Sequence, residues 1–473
     1  MMRGNAWPAG HLSRAPPPFA PLPSRRRRAN PPSCHGERSR LPAPAASART
    51  PRTAFMPSDP HIVIVGAGAA GIGAAMACAA RGIPYVVLEA ADRVGGRALT
   101  DAEDLPGIWD KGCHWLHCAE VNPLVPHADR LGAVYDTASR DDTFATWSGG
   151  AFLTGAELSD CDAAIEAAFA ATYAAGEAGH DGPITDVLPD LGRWAPHARA
   201  ILQLLVGDDP ECDSASAYAD YDDTGHDWPV RSGYGALITA MARGLDIRTG
   251  VAVTAISRTG EGARVETTGG TLDARAVIVT CSTSVLASGA IRIDAGEPAA
   301  RVLDTIAHMP CGSFEKVAFA LDALPPGMDG KEYLLVDTGA DDPVVEFQVV
   351  GGAQPMMICN IAGTPARDLA AMPPRARVDF ALARLRAAFG TGIARAVIHT
   401  GTTDWTNDPL ILGSYSRTDP GHAEARRDAI AADTGRVAFA GEAFSLDWQA
   451  TAHGAWQSGQ DVANRLARRI APG

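Results

Sequence analysis

The sequence predicts an α/β fold with two domains, one of them assembled from separated parts of the chain. Three observations predict it: a strand–helix–strand pattern from residue 61, a further strand ending in a glycine and an acid at 437–442, and long insertions of helical and mixed character between them. The chain has 473 residues, of which 46% are hydrophobic and 20% charged. That length and composition are typical of a globular protein able to bury more than one core.

The first 55 residues differ from the rest and are predicted to form a disordered leader. They contain eleven of the 34 prolines, ten arginines and a single acid, Glu37. Such a composition cannot bury enough apolar surface to fold. The leader lacks the apolar core of a secretory signal, so we interpret Met56 as the translation start and the leader as upstream sequence. The alternative is a basic nucleic-acid-binding arm, which the lack of interleaved aromatic residues disfavours.

The first strand–helix–strand unit carries a glycine-rich turn. Residues 61–65 (HIVIV) form an apolar, β-branched run typical of a buried parallel strand, an alanine-rich helix follows, and the next strand ends in Glu89. In the turn GAGAAG, Gly66 allows a sharp bend, Gly68 lets the backbone approach a pyrophosphate, and Gly71 lets helix and strand pack closely. The helix N-terminus would face the phosphates and Glu89 would accept hydrogen bonds from a ribose. The unit therefore predicts a Rossmann-like dinucleotide-binding domain.

The segment after this unit decides which dinucleotide is expected. It reads AADRVGGR, and its adjacent glycines, Gly95 and Gly96, allow a second close approach of the backbone. The flanking Arg93 and Arg97 can neutralise a pyrophosphate with fork-shaped donors. A nicotinamide dehydrogenase needs no such second arm, so we predict FAD.

Both segments resemble the FAD signatures of the flavin amine oxidase family, and the resemblance extends over residues 61–467. Further motifs that carry it are GCHWLH at 112–117, GYGALI at 233–238, ARAVIVTCSTSVL at 274–286 and TAHGAWQSG at 451–459. The resemblance implies the amine oxidase architecture: a discontinuous Rossmann-like FAD-binding domain and an α+β substrate-binding domain. The implied boundaries are 56–112, 232–295 and 435–473 for the first, and 113–231 and 296–434 for the second.

The resemblance also implies cofactor contacts outside the first unit. In relatives, the backbone at the position of Val253 meets the adenine, and the acid at Glu442, after Gly441, contacts the ribityl or pyrophosphate region. The last helix, with Ala452 in its first turn, directs its positive end at the flavin pyrimidine. Ser414 stands where membrane-bound monoamine oxidases carry the cysteine that bonds to flavin, so the FAD is expected to be non-covalent.

Two residues resemble the reaction centre of the family. Lys316 stands where relatives hold a water against flavin N5, and it is one of three lysines beside 38 arginines. A lysine kept among so many arginines suggests that its compact, titratable ammonium matters. Tyr415 resembles one wall of the aromatic cage that holds the amine nitrogen. The alternative interpretations are an exposed strand lysine and a tyrosine that merely packs in the core.

Two further positions depart from the family pattern. Thr451 stands where monoamine oxidases have a second cage tyrosine, which resembles the polyamine-oxidase and histone-demethylase branch and implies a more open site. Trp448 or Trp456 replacing that wall is the alternative. His117 resembles the histidine of a WxHG motif near the substrate amine in polyamine oxidases. Here Cys118 replaces the glycine, so the backbone is expected to differ, and a structural role for His117 is the alternative.

The body of the chain is acidic, which favours cationic substrates or simply solubility and argues against nucleic acid. Eight acids fall in residues 208–227, which we interpret as a solvated loop, with a mouth that attracts polycations as the alternative. Nine scattered cysteines without CxxC spacing predict reduced thiols and a cytoplasmic protein. The sequence contains neither metal-binding spacing nor an apolar run of 18 residues, so we expect no metal and no membrane span.

The sequence therefore predicts an FAD-dependent amine oxidase. A polyamine or other primary or secondary amine would lose a hydride to flavin N5, the imine would hydrolyse to an aldehyde, and dioxygen would become hydrogen peroxide. The candidate catalytic residues are Lys316, Tyr415, His117 and Thr451. Alternatives with the same fold are an L-amino-acid oxidase, in which Arg231 or Arg417 would clamp a carboxylate, and a desaturase or porphyrinogen oxidase. A flavin-binding protein without turnover is the alternative from another class, and the oligomeric state is not predicted.

Overall fold

The computed structural model describes residues 60–137, 143–339 and 342–471. The chain divides into two units, Met1–Thr53 and Ala54–Gly473. The first unit, and with it the predicted leader, lies outside the described residues, so the architecture that follows is that of the second.

The described residues form 20 strands and 13 α-helices. The strands are β1 Ile62–Val65, β2 Tyr85–Leu88, β3 Thr100–Asp101, β4 Trp109–Asp110, β5 Trp115–Leu116, β6 Phe144–Ser148, β7 Ala151–Phe152, β8 Trp228–Pro229, β9 Ile247–Arg248, β10 Val253–Arg258, β11 Ala263–Thr267, β12 Gly270–Ala274, β13 Ala276–Val279, β14 Arg292–Asp294, β15 Phe314–Leu321, β16 Tyr333–Val336, β17 Val345–Val350, β18 Met356–Ala362, β19 Val397–Thr402 and β20 Val437–Phe439. The helices are α1 Ala69–Ala80, α2 Val125–Leu131, α3 Gly155–Glu177, α4 Ala195–Val206, α5 Ala215–Tyr218, α6 Tyr234–Met241, α7 Thr283–Ala287, α8 Glu297–Ile306, α9 Thr364–Ala370, α10 Pro374–Phe389, α11 Ile393–Ala396, α12 Ala425–Ala431 and α13 Ala452–Ile470.

A five-stranded parallel sheet has the order β20-β13-β1-β2-β9. Its central strand β1 pairs in parallel with both β2 and β13, and its residues are buried on both faces. One face packs against α1 and α13, and the other packs against the separate sheet β12-β11-β10-β14. Continuous apolar strands are what a parallel sheet covered on both sides requires. The predicted strand–helix–strand unit is therefore present, with α1 in the place of the crossover.

Glycines allow α13, the last helix, to lie directly against α1. A Cβ at Gly73 would come within 2.3 Å of the carbonyl oxygen of Trp456, and one at Gly459 within 1.9 Å of that of Ala70. Both distances are far shorter than a real Cβ contact, so only glycine permits this approach. The close packing brings the start of α13 beside the glycine-rich turn, although the two are almost 400 residues apart in sequence.

A seven-stranded mixed sheet has the order β19-β15-β18-β17-β16-β6-β7. Residues on one of its faces, such as Phe319 and Phe347, pack with α9 and α10. Residues on the other face of β15 and β18, such as Ala318 and Ile358, pack with Leu105 and Trp109. Lys316 belongs to this second face because side chains alternate along a strand. The sheet thus presents the candidate lysine to the segment that leads to residues 112–117.

From the sequence, residues 313–321 and 344–350 are predicted to be strands and residues near 376–389 a helix, and these are β15, β17 and α10 in the structure. The strand between β15 and β17, β18, is not predicted. Its sequence, MMICNIA, is buried along its whole length. Such a short apolar run has no periodicity to reveal it. None of the helices among the described residues combines the length and apolar character needed to cross a bilayer.

Candidate active site

The three glycines of the first turn are required for different reasons. A Cβ at Gly66 would lie 2.7 Å from Thr280 Oγ1, and one at Gly71 would lie 1.9 Å from the carbonyl oxygen of Gly66, so both are constrained by the protein itself. At Gly68 the nearest atoms to such a Cβ would be 4.0 Å away. Helix α1 begins directly after Gly68 with no side-chain cap and no acid in its first turn. The space and the uncapped amides at Gly68 are suited to a phosphate group.

The second arm lies against this turn. Gly68 and Gly95 form a parallel bridge, and the amide of Gly95 donates to the carbonyl of Ala67 at 2.8 Å. Glu89 holds the turn from its other side, with one carboxylate oxygen accepting from the amide of Ala67 at 2.7 Å. Arg93 donates to the carbonyl of Gly96 at 2.8 Å, which fixes the arm's own bend. The structure thus brings both predicted FAD signatures together at one end of α1.

Glu442 joins three segments that are distant in sequence. Its carboxylate accepts from the Arg97 guanidinium at 3.0 Å, from Ser416 Oγ at 2.7 Å and from the amide of Ala450 at 3.2 Å. Arg97 also donates to the carbonyl of Ser414. Glu442 is buried, which raises the pKa of its carboxyl group, but Arg97 and its other partners outweigh burial and lower it overall. The carboxylate is therefore ionised, and it organises the chain around the predicted flavin position.

The remaining predicted cofactor residues lie at element ends near these segments. Val253 opens β10 and is buried; the amide of the nearby Val251 donates to the carbonyl of Glu89 at 2.9 Å. Gly441 has φ of 155° and leads into Glu442, and Ala452 is the first residue of α13. Their predicted contacts with FAD remain predictions.

Lys316 is buried and donates to two backbone carbonyls. Its Nζ lies 2.9 Å from the oxygen of Asp110 and 2.7 Å from that of Gly112. Burial lowers the pKa of Lys316, and the opposing attraction of Asp110 is too weak to restore it. The alternative of an exposed strand lysine is therefore wrong. The ammonium ties the mixed sheet to the segment predicted to pass the flavin ring.

Tyr415 is fixed by its hydroxyl group, which donates to the carbonyl of Leu204 at the end of α4. Its ring lies 6.3 Å from that of Phe314, tilted by 51°. Burial raises the pKa of Tyr415, and Glu442 and Glu346 raise it further. The hydroxyl group of Tyr415 is thus fixed by a hydrogen bond, and the negative charges of two carboxylates disfavour its ionisation. One of them, Glu346, also interacts with Lys316.

Glu346 and Asn360 were not singled out from the sequence. Glu346 is buried on β17, and Asn360 Nδ2 donates to it at 2.8 Å from β18. Burial raises the pKa of Glu346 to about 7, against the opposing effects of Asn360 and Lys316. Each is a lone polar residue, or one of two, in an otherwise apolar strand: VEFQVV and MMICNIA. A polar residue isolated in an apolar strand is the feature of the sequence that could have identified both as candidate site residues.

His117 is paired with a carboxylate. Its Nδ1 lies 2.8 Å from Asp227, and its ring centroid lies 6.0 Å from that of Trp115. Burial lowers the pKa of His117, but Asp227 and Asp223 outweigh it, so the pKa is raised overall. Trp115 in turn lies 6.4 Å from Tyr333 on β16. The acidic partner Asp227, which the sequence placed only in an ambiguous acidic stretch, is thus directly at the candidate site.

Cys118 lies in the left-handed region of the backbone, with a φ of 51°. A side chain in that region costs about 1 kcal/mol or more. Its buried thiol donates to the carbonyl of Asp222 at 3.2 Å, a contact that glycine could not make.

Thr451 caps the last helix. Its hydroxyl accepts from the amide of Gly454 at 3.0 Å and donates to the carbonyl of Trp448 at 2.8 Å. Trp456 packs in a core cluster with residues of α1 and α6, so it does not supply the missing cage wall. Trp448 has a buried, unpartnered Nε1 and lies 5.1 Å from the ring of His453, which leaves it as the remaining candidate for that wall. Burial lowers the pKa of His453 to about 3.

Residues 208–227 are not a solvated loop throughout. Asp208 is buried and pairs with Arg367 at 2.6 Å and Arg417 at 3.0 Å. Asp209 is buried and accepts from Gln203 Nε2 at 2.7 Å. The interpretation as a solvated loop failed because the arginines that neutralise these acids lie some 150 to 210 residues further along the chain.

The donor set fits FAD. The open space at Gly68, the uncapped N-terminus of α1 and the second glycine arm suit its pyrophosphate. The eight described cysteines are free thiols, in line with the expectation of reduced cysteines. The fold and this site define a dinucleotide-binding oxidoreductase.

Comparison with known proteins identifies the family. The profile described as "Flavin containing amine oxidoreductase" matches residues 211–467, more than half of the chain, and that of an NAD(P)-binding Rossmann-like domain matches residues 64–128. The chain belongs to the flavin-containing amine oxidoreductase family. It is an FAD-dependent amine oxidoreductase, as the sequence predicted.

Known proteins are similar to this chain in sequence, and solved structures are similar to it in fold. The chain is 27% identical over 444 residues to polyamine oxidase 4 of Oryza sativa subsp. japonica, covering 87% of this chain and 90% of that protein. It is 25% identical to lysine-specific histone demethylase 2 of Homo sapiens, covering 87% of this chain and 54% of that protein. Among solved structures, cyclohexylamine oxidase from Brevibacterium oxydans IH-35A has a TM-score of 0.73 at 23% identity, covering 87% of this chain and 99% of that one. Putrescine oxidase bound to putrescine has a TM-score of 0.70 at 20% identity, with the same coverage. These structural likenesses confirm the predicted fold class.

Proposed function

We propose that the protein is an amine oxidase that uses dioxygen. The substrate amine loses a hydride from its α-carbon and a proton from its nitrogen, and becomes an imine. Water hydrolyses the imine to an aldehyde or ketone, releasing ammonia or a shorter amine. The two electrons and two protons appear in hydrogen peroxide. Bound FAD supplies the hydride acceptor and passes the electrons to dioxygen.

The observation that carries this proposal is the buried ammonium of Lys316. It lies on the sheet face that meets the segment 109–116, and it is held by two neutral carbonyl groups and no carboxylate ion pair. A lysine in that setting is a preorganised positive charge with a lowered pKa. It can hold a water molecule or stabilise negative charge that develops on dioxygen. Lys316 forms no salt bridge with any of the described residues, so an ion-pair role does not explain it.

His117 is proposed to accept the proton of the incoming ammonium. Its Nδ1 is engaged with Asp227 at 2.8 Å, so Nε2 is the nitrogen that remains for a substrate. Tyr415 is proposed to orient the neutral nitrogen through its ring face. Only an amine without its proton can lose hydride, so turnover is expected to rise toward alkaline pH.

The contacts of two arginines disfavour an L-amino-acid oxidase. That activity would require a free guanidinium to clamp the substrate carboxylate. Arg417 is paired with Asp208 at 3.0 Å and also with Asp419. Arg231 lies 3.4 Å from Asp136 and 3.7 Å from Glu332. Both arginines proposed from the sequence already have carboxylate partners.

The test is anaerobic reduction of the bound flavin. The yellow absorbance of the purified protein is followed while monoamines, diamines and amino acids are added one at a time, and air is then admitted. We expect amines to bleach the flavin and air to restore it with one hydrogen peroxide per turnover. Bleaching by amino acids alone would replace the proposal with the amino-acid oxidase. Bound flavin that no compound bleaches would indicate a flavin-binding protein without turnover.

A further inference from the structure

A cavity of about 460 Å³ is lined by residues of α12, β20 and α13 and by Arg81, just beyond the end of α1. Its volume lies within the range of about 300–1,000 Å³ that small-molecule sites occupy. Helix α13 lines the cavity from Ser458 to Arg468, a distance of about 15 Å at 1.5 Å per residue. The cavity is therefore large enough for an organic ligand rather than a single ion.

This cavity is separate from the predicted dinucleotide site. Arg81 follows the last residue of α1, whereas the glycine-rich turn precedes the first, and the twelve residues of α1 span about 18 Å. Ser458, at the other end of the cavity, accepts a hydrogen bond from the amide of Gly441 at 3.3 Å. Neither Lys316 nor Glu442 lines the cavity. An occupant would thus be distinct from both FAD and an amine substrate.

Part of the cavity lining is apolar and aromatic. Phe439, on the edge strand β20, stacks with Phe444, with ring centroids 6.1 Å apart and an angle of 17° between the planes. Val462 of α13 and Ala429 of α12 also line the cavity, and all four side chains are buried. Apolar surface of this kind favours the apolar part of a ligand over water. The parallel rings in particular suit a flat or aromatic body.

Three arginines also line the cavity, and each retains unused donors. Arg81 donates through Nε to Asn464 Oδ1 at 2.7 Å, which leaves its two terminal nitrogens without a partner among the described residues. Arg465 and Arg468 are exposed on α13 and make no ion pair or hydrogen bond within the part of the chain that the structure describes. They are three residues apart on a helix, so both lie on the side that faces the cavity.

The acids nearby do not neutralise these arginines. Asp461 is the one carboxylate among the lining residues, and it accepts a hydrogen bond from Gln457 Nε2 at 3.0 Å. Asp433 pairs with Arg469 at 2.6 Å, and this hydrogen bond is the main reason that the pKa of Asp433 is lowered; Arg465 contributes less. Three positive charges and one negative charge therefore line a cavity in a chain whose formal net charge is −14. Such a lining attracts an anion.

We propose that this cavity binds an organic anion, a carboxylate or phosphate group carried on an apolar body. Phe439 and Phe444 contact the apolar body, and the guanidinium groups of Arg465 and Arg468 bind the anionic group. Guanidinium groups match carboxylate and phosphate with paired hydrogen bonds, which gives this site a preference for charge as well as for apolar surface. The inference goes beyond amine oxidation and does not depend on it.

The test titrates the complete, FAD-loaded protein with 6-phenylhexanoate and with 6-phenylhexan-1-ol in a calorimeter. The two probes share an apolar body and differ in charge. The wild type is expected to bind the carboxylate at one site, about tenfold more tightly than the alcohol, as one charge-assisted hydrogen bond gives. The double variant Arg465→Gln/Arg468→Gln should bind the carboxylate no more tightly than the alcohol. Its FAD content and unfolding temperature should equal those of the wild type, because both arginines are exposed.

Two further variants separate this cavity from the rest of the surface. Arg375→Gln/Arg386→Gln removes the same charge from exposed positions on α10 that do not line the cavity, and it should keep the preference for the carboxylate. Ala432→Phe leaves every charge in place and fills part of the cavity, so it should bind neither probe. The proposal is refuted if the wild type binds neither probe or binds both equally, if the two arginine pairs lose affinity equally, or if a folded Ala432→Phe binds as the wild type does. Each of these outcomes leaves amine oxidation unaffected.

Discussion

Replacing Gly68 by alanine separates cofactor binding from folding. Gly68 has φ of −75° and ψ of −175°, an extended conformation that alanine adopts without strain. The added methyl group would have no atom within less than 4.0 Å. We therefore expect the free energy of unfolding of the flavin-free variant to lie within about 0.5 kcal/mol of that of the wild type. The methyl group instead occupies the space in which the predicted pyrophosphate approaches the backbone.

The expected loss of affinity follows from the amides at the start of α1. If the methyl group displaces the phosphate so that two charge-assisted hydrogen bonds are lost, at about 1.5 kcal/mol each, the dissociation constant for FAD rises by roughly 100-fold. Gly71→Ala, by contrast, is predicted to lower the stability of the flavin-free protein. Its Cβ would lie 1.9 Å from the carbonyl oxygen of Gly66, so the helix must shift. Overpacking of this kind costs about 1–3 kcal/mol.

The assay measures two quantities on flavin-free protein: the unfolding temperature, and the quenching of FAD fluorescence on titration. Gly82→Ala serves as the control, because Gly82 has φ of 64°, has no atoms within 4 Å of its Cβ position and lies at the opposite end of α1. It should lose about 1 kcal/mol of stability and bind FAD normally. The reasoning would be refuted if Gly68→Ala bound FAD with the affinity of the wild type, or if it destabilised the apoprotein as much as Gly71→Ala.

Three further predictions concern the reaction centre. Lys316→Met should slow the reaction of the reduced enzyme with dioxygen by about 100-fold because a preorganised charge is lost, while anaerobic reduction by amine should change far less. Stopped-flow traces measure the two half-reactions separately, and equal slowing of both would contradict this prediction. Asp227→Asn should move the ascending limb of the pH profile of kcat/KM to lower pH, since Asp227 raises the pKa of His117 and the histidine is a free base only above that pKa. A lower rate with an unmoved limb would exclude His117 as the base. Tyr415→Phe should lose about 1 kcal/mol of stability with its hydrogen bond to Leu204 and leave KM nearly unchanged, whereas Tyr415→Leu should raise KM about tenfold. A similar KM in both variants would contradict a role for the ring face.

The cofactor-binding part of the fold was predictable because its signals are local. Gly66, Gly68, Gly71 and Glu89 lie within 24 residues, and each answers to a single requirement of one strand–helix–strand unit. The C-terminal helix was also predictable, since its first turn follows a strand that ends in glycine and an acid. In both cases the residues that give a position its structural role lie close to it in the sequence.

The substrate side was less predictable because its contacts depend on register. Glu346 and Asn360 acquire meaning only when β17, β18 and β15 are aligned, and β18 was not predicted at all. The acidic residues Asp208 and Asp209 were misread for the same reason, because their arginine partners come from far along the chain. A lone polar residue in a buried apolar strand is a usable signal, but the sequence does not show which residues it faces.

Two buried carboxylates, Asp110 and Glu442, hold the separated parts of the chain around the candidate site. The carboxylate of Asp110 accepts a hydrogen bond from the amide of Tyr234 at 3.0 Å and lies 3.0 Å from His114 Nδ1. The backbone carbonyl of the same residue accepts a hydrogen bond from the ammonium of Lys316. Glu442 similarly joins Arg97 to the segments around residues 416 and 450. A carboxylate can accept several hydrogen bonds at once, so one side chain fixes the directions of several backbones. Hydrophobic contact alone fixes no direction. These two carboxylates therefore fix how the separated segments of the chain lie relative to one another around the candidate site.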